Sequence, residues 1–306
     1  MIWIVLLLIA FLAFPFGIEA RRKPMNDTER ATAPGNFVSL SQGVTHFQWN
    51  GPENGRVIVC VHGLTTPSFV WRSIASGLAA AGFRVLSYDL YGRGFSDRPP
   101  GPQNAAFFRR QLHDLLADQK IDGDLTVIGY SMGGVIAADF AAAHPNSVRK
   151  LVLLAPAGMQ TVGRNLAFMV KTPFFGRWLM LLRYPSLLRR GLRAEAHLPS
   201  SVPDIGALQA KELEYRGFIP AVHSCLHHML TNPLKREHET IHQVGLPVLA
   251  IWGATDDVID LSCKDLLATW NPDVQQEVIA NAGHGLGYTH AQQVLDHVEA
   301  FTKRPD

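Results

Sequence analysis

The sequence predicts an α/β protein: a mostly parallel central sheet flanked by helices, with a helical insertion and an N-terminal hydrophobic helix. Three observations carry that prediction. Short β-branched apolar runs, such as Val57-Ile58-Val59-Cys60-Val61 and Val248-Leu249-Ala250-Ile251, alternate with longer helical patterns. Unbroken apolar runs of this length suit strands covered on both faces, and their alternation with helices suits parallel crossovers. The alternation stops between about Met159 and Val244, where only helical segments are read, and resumes at Pro247. Met1 to Ile18 is almost wholly apolar.

That first stretch reaches ~27 Å as a helix, close to the thickness of a bilayer core. A secretory signal peptide carries its positive charge before the apolar run. Here only the α-amino group does so, and Arg21-Arg22-Lys23 follows the run. A membrane anchor over residues 1–20 is therefore expected, and positive-inside logic puts the rest of the chain in the cytoplasm. Ala20 keeps signal cleavage, with a secreted or periplasmic product, as the alternative. Residues 21–36 are polar, with Pro and Gly, and read as a linker. The remaining chain divides into a core at 37–158 and 245–306 and the insertion at 159–244.

In order, Phe37–Leu40 and Thr45–Asn50 read as a hairpin around Ser41-Gln42-Gly43. Val57–Val61 is a buried strand, followed by a helix near Val70–Ala81 and a strand at Phe83–Leu90. A helix spans about Asn104–Gln119. The strand ending at Tyr130 precedes a helix from Met132 to about His144. Leu151–Leu154 and Pro247–Gly253 are buried strands. A helix near Leu261–Trp270, a strand near Val274–Ile279 and a helix from about Thr289 to Lys303 complete the chain. Composition narrows the function classes. With 47% hydrophobic residues, the chain has ample material for a core. A formal charge of +2 leaves no nucleic-acid footprint. The three cysteines, Cys60, Cys225 and Cys263, are too scattered for a disulfide framework.

Chemistry concentrates at Gly129-Tyr130-Ser131-Met132-Gly133, between a strand and an Ala-rich helix. A turn tight enough to lift a serine off the end of a sheet brings the residues two before and two after it together. Gly129 and Gly133 remove the side chains that would collide. A serine nucleophile needs a base, and the base needs an orienting acid. Both belong after strand C-terminal ends, where Asp256 and His284 lie. Asp257 and Asp260 are lesser alternatives for the acid, and the loop after Leu154 offers no carboxylate. Oxyanion donors are expected from the N–H groups of Met132 and Leu64. His62 reads as a residue that shapes the Leu64 loop.

These pieces resemble the α/β-hydrolase superfamily, in the branch of serine esterases, monoacylglycerol lipases and C–C bond hydrolases. They are His62-Gly63, Asp89-x-x-Gly92-x-Gly94-x-Ser96, Gly129-Tyr130-Ser131-Met132-Gly133-Gly134, Gly253-x-x-Asp256 and Gly283-His284. They cover residues 57 to 284 in the family's order, nucleophile, acid, then base. The resemblance implies an α/β-hydrolase fold with residues 159–244 as a helical cap, and ester hydrolysis through an acyl-enzyme on Ser131 without metal or organic cofactor. It departs at Asp260, where relatives often have proline, and at His290, where many have an acid. C–C bond hydrolysis of vinylogous diketones by the same three residues is the alternative activity. A non-catalytic binding protein on the same fold is the alternative of another class.

Two further clusters compete for a role. His238-Glu239-Thr240-Ile241-His242 matches a zinc-protease pattern, but it precedes a core strand and lacks a marked third ligand. His223, Cys225, His227 and His228 also cluster, and read best as part of a cap helix. The cap's first part carries Arg164, Lys171, Arg177, Arg183, Arg189, Arg190 and Arg193 among Phe168, Met169, Phe174, Phe175 and Trp178. Either this surface lies on anionic lipid, or it roofs the site with its arginines in water. The partners expected are a small ester or lipid substrate and a membrane.

Overall fold

A computed structural model describes residues 1–160, 170 and 172–304. Arg164, Phe168, Met169 and Lys171 lie outside the described residues. The centre is an eight-stranded sheet in the order β1-β2-β4-β3-β5-β6-β7-β8. The strands are β1 Asn36–Leu40, β2 Gly43–Asn50, β3 Val57–Val61, β4 Arg84–Tyr88, β5 Leu125–Tyr130, β6 Val148–Leu154, β7 Val248–Gly253 and β8 Gln275–Ile279. β1 and β2 form an antiparallel hairpin, and β2 joins β4 antiparallel. All pairs from β4 to β8 are parallel.

The apolar runs behave as strands covered on both faces. Along β3, Val59 and Val61 join one core cluster while Ile58 and Cys60 join the other. The same period-two split runs through β6 and β7. One face is covered by α4 Ala105–Asp118 and α5 Met132–Ala143, the other by α3 Arg72–Ala80 and the C-terminal helix Ala291–Lys303. Asn104 starts α4 as an N-cap, its side chain accepting the Phe107 N–H at 2.9 Å.

The 159–244 insertion leaves the C-terminal end of β6 and returns at β7, its neighbour inside the sheet. It therefore stands over the ends of inner strands and not beside the sheet's lateral edge. Its described helices are α6 Pro173–Glu195, α7 Ile205–Lys211, α8 Phe218–His228 and α9 Lys235–Gln243. α6 and α8 share their own apolar cluster, with Met180, Leu181, Phe218 and Val222 buried together. Ile241 of α9 instead packs in the sheet's core. α6 and α8 thus pack on each other outside the sheet's core, Ile205 and Leu208 of α7 pack against that core, and α9 serves as a flanking helix.

The N-terminal apolar segment is one helix, α1 Ile2–Ala20. Residues 21–36 differ from the expected linker, because they form a strap fastened to both cap and core. Glu214 O accepts the Lys23 N–H at 3.0 Å, and Lys23 O accepts the Arg216 N–H at 2.8 Å. The short helix α2 Asp27–Arg30 follows. Arg30 bonds to Phe95 O and pairs with Asp97, while the Tyr215 hydroxyl donates to Glu29 at 2.8 Å. Polar composition alone cannot reveal such partners, which are long-range.

Candidate active site

β5 and α5 meet at Ser131, whose backbone sits at φ +54°, ψ −119°. A non-glycine residue is strained in that region, and the surrounding contacts hold it there. Leu154 O accepts the Ser131 N–H at 2.9 Å, and Ser131 O accepts the N–H groups of Gly134 and Ala157. The two glycines are needed for space. A Cβ on Gly129 would stand 2.4 Å from Gly133 O, and one on Gly133 only 2.1 Å from Val61 O.

The structure brings Ser131, Asp256 and His284 into one chain of hydrogen bonds. Ser131 Oγ lies 2.9 Å from His284 Nε2, and His284 Nδ1 lies 2.8 Å from Asp256 Oδ2. With the imidazole proton on Nδ1, donating to the carboxylate, Nε2 accepts from the serine hydroxyl. Asp256 is held by its other oxygen, which accepts the Val258 and Ile259 N–H groups, both at 2.8 Å. Its side chain is 2% exposed against 17% for His284, so the carboxylate is sealed while the imidazole keeps some exposure. The competing acids lie elsewhere. Asp257 is exposed, and Asp260 accepts the Ser262 N–H ahead of helix α10 Cys263–Trp270. His290 bonds to Thr289 at the start of the C-terminal helix, away from this chain of bonds.

Met132 follows the serine in the chain, and Leu64 follows Gly63. Met132 opens α5, and neither its N–H nor that of Leu64 has a hydrogen-bond acceptor among the described residues. Gly63 abuts Ser131, since a Cβ there would lie 3.2 Å from Ser131 Cβ. His62 shapes this loop as expected. Its Nε2 accepts the Leu90 N–H at 2.9 Å and its Nδ1 donates to Gly63 O at 2.8 Å. Complete burial lowers its pKa to about 4, so it stays neutral.

Two residues acquire roles that motif reading missed. Arg93, fully buried, donates to Leu64 O at 3.0 Å, Tyr91 O at 2.9 Å, Gln103 Oε1 at 2.7 Å and Cys225 Sγ at 3.2 Å. It ties the Leu64 loop to cap helix α8. Tyr130 stacks on the His284 ring at 5.5 Å, and its hydroxyl donates to His284 O at 2.7 Å. Both sit inside motifs, so position marked them, but only the fold shows what they touch. Tyr130→Phe removes one buried donor worth about 1 kcal/mol. It is expected to lower the melting temperature by a few degrees and kcat about fivefold, checked by steady-state kinetics beside a thermal melt.

The Asp89 turn is scaffold. Asp89 Oδ2 meets His46 Nδ1 at 2.7 Å and accepts the Phe95 N–H at 2.9 Å, while Oδ1 accepts the Ser68 N–H. Burial alone would raise its pKa, but His46 and the Ser68 N–H outweigh burial and hold it below the usual carboxylate range. Gly94 must be glycine, because φ is +51° and a Cβ would fall 2.1 Å from Asp89.

The rival clusters do not converge on a metal. His238 is buried and stacks on Trp270 at 6.2 Å, whereas His242 faces Asp273 at 2.9 Å near the surface. Glu239 pairs with Lys235. In the other cluster His227 Nδ1 donates to Val170 O at 2.7 Å, and Cys225 is taken by Arg93. Among the described residues no group of three ligating side chains is placed to hold an ion. Burial lowers the His238 pKa to about 4 from 6.5. The folded state then binds fewer protons than the unfolded state between these values. Stability therefore falls as pH drops from 6.5 to about 4. His238→Leu is expected to flatten that decline, read as melting temperature against pH.

Comparison with known proteins agrees with this architecture. The family profile described as alpha/beta hydrolase fold matches residues 56–291. Lipase 1 of Psychrobacter immobilis is 25% identical over 268 residues, covering 82% of this chain and 78% of its own. The 2-hydroxymuconate semialdehyde hydrolase of Pseudomonas putida is 29% identical over 235 residues, covering 73% of this chain and 78% of its own. The crystal structure of a bacterial membrane phospholipase A superposes with a TM-score of 0.72 at 22% identity, covering 98% of this chain and 96% of that one. A profile that spans most of the chain, on an eight-stranded sheet of this topology, establishes that the protein belongs to the α/β-hydrolase family.

Proposed function

We propose that the protein is a membrane-anchored serine hydrolase of carboxylic esters with apolar or lipid-derived acyl groups. The observation that carries this reading is the hydrogen-bonded order Ser131 Oγ, His284 Nε2, His284 Nδ1, Asp256 Oδ2, at 2.9 and 2.8 Å, with the serine raised on a strained turn. Ser131 Oγ attacks the acyl carbon while His284 Nε2 takes its proton. Asp256 holds the imidazole in the reactive tautomer and stabilises its charged form. The oxyanion faces the N–H groups of Met132 and Leu64, the former at the N-terminus of α5. His284 then returns the proton to the leaving alcohol. Water, activated by the same nitrogen, releases the acid. Arg93 and Tyr130 hold the donor loop and the base in register.

The lipid preference is supported by the named lipase relative and by the phospholipase structure, whose match extends over the N-terminal helix. The anchor reading is supported by Glu19. This buried carboxylate accepts the Gly217 N–H at 2.6 Å and pairs with Arg22 at 2.9 Å. Cleavage after Ala20 would strip both partners of it. Positive-inside logic places the hydrolase domain in the cytoplasm, which reporters fused to both ends test. A second reading, C–C bond hydrolysis by the same residues, draws on the Pseudomonas putida relative.

The test is a series of esters and monoacylglycerols of increasing acyl length, run with wild type and Ser131→Ala. Turnover is expected to rise with acyl length and to vanish in the variant. Turnover that survives Ser131→Ala contradicts the mechanism. Cleavage of a vinylogous diketone with no ester turnover selects the second reading.

A further inference from the structure

α1 does not leave the protein freely; it runs alongside the cap. The Phe11 ring lies 5.0 Å from Trp178 and the Arg177 guanidinium sits 5.9 Å over Phe16. Further along, Arg189 is near enough for its charge to act on Arg22. From Phe11 to Arg22, just past the end of α1, and from Trp178 to Arg189 in α6 the chain advances by the same number of residues. The two helices therefore climb together in one direction.

The outward side of α1 fixes the depth. Its exposed apolar surface continues through Phe11, Phe14 and Ile18, which are 57%, 60% and 40% exposed. Charge begins only at Glu19 and Arg21. If α1 lies in a bilayer, the boundary between acyl chains and headgroups falls near residue 20. Phe11 is nine residues short of that level, or ~13 Å deeper at 1.5 Å per residue. Trp178 packs on Phe11, so the start of α6 shares its depth.

The composition of α6 follows this gradient. From Phe175 to Leu182 the only charge is Arg177, and its side chain reaches to Phe16, towards the boundary, as a snorkelling arginine would. Phe175 is 46% exposed and stacks on Trp178 at 5.6 Å. Beyond, Arg183, Arg189, Arg190 and Arg193 are all exposed. With Arg21, they form a basic collar at the level where anionic headgroups would stand.

Resting on the anchor reading above, we propose that the N-terminal turns of cap helix α6, Phe175 to Leu182, are immersed in the acyl region of the same leaflet as α1, with the arginines that follow at its anionic headgroups. The cap is then embedded in the membrane at its α6 end.

The test uses the full chain reconstituted in vesicles of phosphatidylcholine with phosphatidylglycerol. Single added cysteines, Phe175→Cys, Leu187→Cys and Asp122→Cys, carry an environment-sensitive fluorophore; the native cysteines are buried in the folded chain. Asp122 lies at the N-terminal end of β5, opposite the cap. Lipids spin-labelled deep in the acyl chain are expected to quench the Phe175 probe several-fold more than the Asp122 probe. The Leu187 probe is expected to be quenched best by labels near the headgroup, and less so once Arg189, Arg190 and Arg193 are changed to Glu. A Phe175 probe as unquenched as the Asp122 probe, in protein that still floats with vesicles after alkaline washing, overturns the proposal and leaves the anchor standing. Protein that fails to float overturns both.

Discussion

Asp256→Asn is expected to cut kcat by about 10⁴-fold with KM nearly unchanged. The reason lies in which atom faces the base. The Val258 and Ile259 N–H groups demand an acceptor at Oδ1, so the amide of the variant keeps its oxygen there and turns its NH₂ towards His284 Nδ1. That nitrogen must then accept. The imidazole proton moves to Nε2, and the site loses its acceptor for the Ser131 hydroxyl. Because the amide fits the same space, the fold is retained. Steady-state kinetics beside a thermal melt check the prediction. A variant that keeps wild-type kcat would remove Asp256 from the mechanism.

Gly133→Ala is expected to be among the most damaging single-methyl changes at the described residues. Its Cβ would stand 2.1 Å from Val61 O and 2.6 Å from His62 O, both backbone atoms at the end of β3. Neither can rotate away, so α5 must back off the sheet, taking Ser131 and the Met132 N–H with it. A loss of about 3 kcal/mol is expected, with activity falling further because the nucleophile moves relative to His284. Gly191→Ala in α6 is the control. No heavy atom lies within 4 Å of its added methyl, and alanine suits a helix better than glycine, so the change is expected to be neutral or mildly stabilising. Denaturant melts of the two variants decide. Similar midpoints would mean that the elbow tolerates a side chain it has no room for.

The parallel core was legible because its strands are sealed on both faces. Sealing forces unbroken apolar runs, and Val57–Val61 and Val248–Ile251 stand out for that reason. Where a strand carries charge, the reading fell short. β6 begins at Val148, three residues before the expected Leu151, because Lys150 sits buried in it. Its Nζ donates to Phe301 O at 3.1 Å and Arg304 O at 2.6 Å, holding the end of the C-terminal helix. No local pattern announces a lysine used in that way.

The candidate site was legible for a related reason. Its residues follow strand ends, and a tight elbow restricts residue type so strongly that Gly129 and Gly133 frame Ser131 in the sequence. Asp256 stood out less sharply from Asp257 and Asp260, and the structure separates them by the backbone donors that face it. Arg93 and Tyr130 were hidden because their roles are contacts between distant segments. The same holds for the strap at 21–36. Glu29, Arg30 and Lys23 look like solvated charges until Tyr215, Asp97 and Glu214 are brought beside them.

The central claim is that Ser131 is the nucleophile and that His284 and Asp256 activate it. The most direct measurement is the intact mass of the full chain after brief exposure to a fluorophosphonate, with the adduct mapped by peptide fragmentation. A single phosphonyl adduct on Ser131 is expected, absent from Ser131→Ala and formed far more slowly in Asp256→Asn. An unlabelled wild-type chain, or an adduct that persists at another residue in Ser131→Ala, would contradict that claim.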